Sequence, residues 1–207
     1  MMEVKGEAAL SLPIFVLKKF GRKGYNQWLE SISPEARKVY SSPIHKDDWF
    51  PLKEVVVEPT RKICELFFNN SKRGAWEGGR YSAEYGLKGI YKVLVKLASP
   101  QILIKKAGPI LASYYNSGSL EVVESSKNYV VIRITNFPEM DKIIEYRLGG
   151  WMERAIEICG CKNVTVTINS SLTENDPCTE YKVSWVKKSF IIKPVVHLHG
   201  KKDFRPD

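Results

Sequence analysis

The apolar residues of this chain change period near residue 119, and that change restricts the folds open to it. Before it the spacing is helical. Leu10, Pro13, Ile14, Leu17 and Phe20 recur every three or four residues up to a stop at Gly21, and Trp28, Leu29 and Ile32 continue on a second short segment. Ser33 precedes Pro34 as a cap precedes a first-turn proline. Val55, Val56, Pro59, Ile63, Leu66 and Phe67 share one face of a helix from about Leu52 to Asn69 that Pro59 must kink or break. The stretch from Gly74 to Gly89 is so rich in glycine and aromatics that it reads as a loop feeding a helix marked by Leu87, Ile90, Tyr91, Leu94 and Leu97. Ser99-Pro100 opens another helix through Ile102, Leu103, Ile110, Leu111 and Tyr114, disturbed at Gly108-Pro109.

Beyond residue 119 the alternation is that of strands. Leu120 to Glu124 and Tyr129 to Thr135 flank a turn at Ser125 to Asn128 and form a hairpin. Residues 140–160 return to helical spacing, with Ile144, Leu148, Trp151, Ala155 and Ile158 on one side. Val164, Val166 and Ile168, then Tyr181, Val183 and Trp185, alternate with polar residues on either side of a polar loop, which makes a second hairpin. The expected fold is α+β, a helical layer packed on a four-stranded antiparallel sheet in the order helices-β-β-α-β-β. No repeat or Ser/Gly linker divides the chain, so residues 1–187 are expected to form one domain and residues 188–207 a basic strand or tail. Phe190 to Leu198, broken by Pro194, suits an edge strand or an arm laid on a neighbour.

With 207 residues, 43% of them apolar and 27% charged, the chain is long enough to bury roughly 70% of its unfolded surface without staples. No apolar run reaches the ~18 residues of a spanning helix, and with Glu3, Lys5, Glu7, Lys18 and Lys19 among the first twenty residues no secretory leader is expected. A cytoplasmic protein with reduced thiols is expected, its sequons at Asn69, Asn163 and Asn169 unmodified. The net charge is +9, and residues 187–207 hold six basic residues against two acidic ones. The remaining charge is dispersed, without the aromatic interleaving of a single-strand groove, so no specific nucleic-acid partner is expected.

Catalytic motifs are lacking. The chain has no Gly-x-Ser-x-Gly, His-Glu-x-x-His or Gly-x-x-x-x-Gly-Lys-Ser/Thr, and its glycines at 74, 78, 79, 86 and 89 match no dinucleotide fingerprint. Cys159, Cys161 and Cys178 offer three thiols, but the second hairpin would separate Cys161 from Cys178 by roughly 20 Å at ~3.3 Å per residue. Cys64 and Cys159 read as small buried apolar residues, His45 as a surface loop residue, and His197 with His199 as an exposed terminal strand lacking a completed ligand shell. No metal site is expected. Gly149-Gly150 in mid-helix costs about 1 kcal/mol per glycine relative to alanine, so either close packing or room for a ligand beside Trp151 must offset it.

Several short motifs occur in a telling order: Val4-Lys5-Gly6, Trp49-Phe50-Pro51, Leu87-Lys88-Gly89-Ile90-Tyr91, Ser99-Pro100, Tyr114-Tyr115-Asn116-Ser117-Gly118, and Leu148-Gly149-Gly150-Trp151 with Cys159-Gly160. In that order, over about residues 4 to 187, the chain resembles the superfamily of heme-nitric-oxide-binding domains, 4-vinyl reductase domains and Bet3-type vesicle-tethering subunits, in particular a bacterial branch without the heme histidine. The resemblance implies a hydrophobic chamber between helices and sheet, and often a dimer. It also implies that heme binding needs an axial histidine on a central helix and a Tyr-x-Ser-x-Arg motif; residues 46–196 contain neither, so no heme is expected. The resulting expectation is a non-enzymatic sensor or adaptor whose chamber takes a small apolar ligand or acyl chain and which signals through a homodimer or a protein partner. Phe67, Tyr91, Leu94, Leu148 and Trp151 are the expected chamber wall. Two alternatives are a tethering-like interaction domain with a filled core and an enzyme acting on a small hydrophobic substrate.

Overall fold

The computed structural model describes residues 1–87 and 99–186. Tyr91 and Leu94, the rest of their helical stripe beyond Leu87, the terminal strand or arm and both terminal histidines lie outside the described residues.

A short strand, β1 (Glu3–Lys5), pairs antiparallel with β2 (Trp49–Pro51) and leads directly into α1 (Gly6–Ser31). Helix α1 is interrupted where expected, at Gly21, whose φ of 69° and ψ of −174° lie in a region that a Cβ would strain. Its buried residues Ala8, Leu12, Phe15 and Val16 face the interior, and the fully buried Trp28 donates its indole N–H to the Pro59 carbonyl at 3.0 Å. In α2 (Pro34–Tyr40) Ser33 acts as the cap, its hydroxyl accepting the Ala36 N–H at 3.1 Å.

The kink expected at Pro59 is a change of helix type. A π-helical turn, Lys53–Val57, runs into α3 (Glu58–Phe67). Pro59 has no N–H to give the Val55 carbonyl one turn earlier, and that carbonyl instead accepts a hydrogen bond from the buried Tyr40 hydroxyl.

The glycine-rich stretch is not a loop. Residues Arg73–Gly86 form α4, with Gly74, Gly78 and Gly79 buried. Its partner is α7 (Lys142–Ile158), and the two backbones touch: a Cβ on Gly79 would lie 1.9 Å from the Arg147 carbonyl oxygen, and one on Gly150 would lie 2.1 Å from that of Trp76. Tertiary contact of this closeness offsets the poor helix propensity of both segments. Close packing therefore accounts for Gly149-Gly150.

Between them come α5 (Pro100–Lys105) and α6 (Ala107–Tyr114), separated at Lys106 and thus slightly earlier than Gly108-Pro109 predicts. Four strands complete the fold: β3 (Ser119–Ser125), β4 (Tyr129–Thr135), β5 (Lys162–Ser170) and β6 (Thr179–Val186). They form an antiparallel sheet in the order β3-β4-β6-β5, with Ile132 opposite Tyr181 and Tyr181 opposite Ile168. The fold is the expected α+β arrangement. In β6, Thr179, Tyr181, Val183 and Trp185 alternate as its buried residues.

A buried polar cluster ties α7 to the β5–β6 connection. Glu145 is inaccessible to solvent, and its Oε1 accepts from the hydroxyls of Ser171 at 2.6 Å and Thr179 at 2.8 Å. The Lys142 ammonium lies 3.1 Å from its other oxygen. The Tyr181 hydroxyl donates to the Glu145 carbonyl at 3.0 Å, so the helix is held to the sheet through both side chain and backbone.

Candidate functional site

The two faces of α7 meet different surroundings. Tyr146, Gly149, Gly150, Glu153 and Glu157 follow one helical stripe toward α4, where Trp76 donates its indole N–H to Glu153 at 2.7 Å and Arg80 pairs with Glu157 at 2.8 Å. Burial alone would raise the Glu157 carboxyl, but Arg80 and Arg154 outweigh it and hold the group below its usual range.

Leu148, Trp151, Met152 and Ala155 follow another stripe and line a chamber of about 80 Å³. Further lining comes from α5 and α6, including Leu103, Ile104 and Leu111, from the sheet through Leu120, Val130, Ile132 and Val183, and from Ala8 of α1 with Gly79 and Ser82 of α4.

Of the expected wall residues, Leu148 and Trp151 line the chamber. Phe67 does not: its ring stacks on Phe20, with centroids 4.0 Å apart, in the contact between α3 and α1. An apolar stripe on α3 reads the same in sequence whichever neighbour it meets.

Arg147, not among the expected residues, brings a charge into the largely apolar wall. It is only 4% exposed, and among the described residues its Nη2 has a long contact to the Ser11 hydroxyl at 3.5 Å while Nη1 has no hydrogen-bond partner. No carboxylate forms an ion pair with it among the described residues. Burial lowers its proton affinity from the ordinary value, opposed by the nearby phenols Tyr115 and Tyr40. Its sequence signal is a charge on an otherwise apolar stripe, three and four residues after Ile144 and Ile143 and four before Trp151.

The cysteines are spread out. Cys161 precedes β5 and Cys178 precedes β6, at opposite ends of the antiparallel hairpin. Cys64 is buried as expected, whereas Cys159 is only partly buried, because the helix end leaves it beside the exposed Gly160. Burial, with a smaller contribution from Cys161, raises the Cys159 thiol to about 11. Among the described residues no group of three or more His, Cys, Asp or Glu is placed to hold a metal ion.

No protein-family profile matches the chain, and no curated protein matches it in sequence. Solved structures do match in fold. An H-NOX protein from S. oneidensis in the Fe(II)NO ligation state aligns with a TM-score of 0.69 at 10% identity, covering 88% of this chain and 99% of that one. The Fe(II) unliganded H-NOX protein from K. algicida gives 0.67 at 9% identity, covering 90% and 98%. An oxygen-binding H-NOX domain related to soluble guanylate cyclases gives 0.62 at 14% identity, covering 89% and 100%. The chain has an H-NOX-like fold.

The residues present do not fit the heme implied by that likeness. The chamber's volume of about 80 Å³ is well below the ~300–1,000 Å³ of pockets that take drug-sized ligands. His45, the histidine among the described residues, stands between α2 and β2 and is not part of the chamber wall. No helix of the described residues is long and apolar enough to cross a membrane.

Proposed function

We propose that this chain is a non-enzymatic cytoplasmic sensor or adaptor that seats a small apolar ligand between α5, α6, α7 and the sheet. Occupancy is relayed through a homodimer or protein partner. Residues 1–187 act as one ligand-binding unit, with residues 188–207 as a basic tail. The observation that carries this reading is the apolar chamber on one side of α7, with Leu148 and Trp151 in its wall, inside an H-NOX-like fold.

Native mass spectrometry of the purified chain tests it, with small aliphatic and aromatic probes added when no ligand co-purifies. A bound apolar species is expected, and Trp151→Ala should stay folded while weakening its retention about tenfold or more. Failure of every probe to bind would overturn the ligand-binding reading and favour the tethering-like alternative, which the chamber's small volume also supports.

A further inference from the structure

We propose that the ligand of this chamber is a short-chain carboxylate whose head is held by Arg147. The proposal rests on the ligand-binding reading above and adds the chemical class. An arginine offers five N–H donors in a planar fork. Here the residue is almost wholly buried, yet among the described residues Nη1 is unpartnered and Nη2 has only the long contact to Ser11. A buried cation without an anion is destabilising unless a counter-charge arrives.

Arg147 belongs to the wall of the chamber. Nη1 packs over Gly78, so closely that a Cβ there would lie 3.1 Å from it, and Ala8, Gly79 and Ser82 join Arg147 in the chamber wall. These small side chains form the wall at the Arg147 end, while Leu148, Trp151 and Met152 continue it along α7 as an apolar surface. A cation at one end and hydrocarbon beyond it match an amphiphile with an anionic head. One guanidinium balances one carboxylate, whose two oxygens fit its fork; a phosphate monoester would bring about −1.5 to −2 charge and leave an excess buried. The volume, about 80 Å³, is smaller than the ~150 Å³ cavity that holds benzene, so the hydrocarbon part is short.

The test titrates the full chain with butanoate, hexanoate and octanoate, each against its neutral amide, by calorimetry and tryptophan fluorescence. At least one carboxylate should bind about tenfold or more tightly than its amide. In Arg147→Met the preference should vanish while the amide still binds, and the unliganded variant should keep or raise its thermal midpoint because an uncompensated charge has gone. Equal binding of acid and amide to the unmodified chain would overturn the carboxylate assignment and leave the chamber reading intact. Binding of neither would defeat both. A marked fall in the midpoint of Arg147→Met would identify the guanidinium as structural and overturn the proposal, and hexyl phosphate binding as tightly as hexanoate would overturn the choice of carboxylate.

Discussion

The two sides of α7 differ in how closely their neighbours approach. Toward α4, glycines bring backbone against backbone, with no space for one added carbon at Gly79 or Gly150. Toward the sheet, Leu148, Trp151, Met152 and Ala155 leave a chamber of about 80 Å³. A single helix thus combines a rigid seam with an adaptable face. The contrast shows that a ligand site in such a layer depends on the seam as much as on its own lining, because the seam fixes where the opposite face stands.

The largest expected effect breaks the seam. Gly150→Ala must move the Trp76 backbone, and a loss of about 3 kcal/mol or complete failure to fold is expected, measured as the denaturation midpoint. A variant as stable as the unmodified chain would show that α4 and α7 are not held this tightly. A smaller effect should follow from filling the other face: Ala155→Met adds flexible volume toward the chamber and should change stability by about 1 kcal/mol or less while reducing ligand uptake. A loss comparable with that of Gly150→Ala would erase the proposed difference between the two faces.

The smallest effect concerns acid sensitivity at the seam. Glu157 is held below its ordinary carboxyl value in the folded chain, so its contribution is present above the unfolded value near 4.5 and is lost as pH falls through the lower folded value. Glu157→Gln should therefore flatten the stability profile below about pH 4.5 and lower stability modestly at neutral pH, by about 0.5 kcal/mol given its partial exposure. An unchanged acid limb in a denaturation series would remove Glu157 from the pH response.

Much of the fold was legible because its signals are local. The alternation in β3 to β6, the stop at Gly21, the cap Ser33 and the break at Pro59 all follow from steric and hydrogen-bonding rules within a few residues. The candidate site was legible in part. Leu148 and Trp151 announced an apolar face, but Phe67 belonged to a similar stripe that meets Phe20 instead. Arg147 showed only as a charge on that face, with nothing nearby to distinguish a solvated side chain from a buried one.

What the amino-acid sequence determined by itself was the succession of elements, since periodicity, caps and proline geometry act over one or two turns. Only the tertiary structure decided that the glycine-rich segment is a helix, that its glycines meet a helix far along the chain at Gly149-Gly150, and that Arg147 is enclosed with no acid paired to it among the described residues. Each of those outcomes depends on which distant surfaces come together, because backbone clearance and desolvation are properties of pairs of elements and not of either one alone.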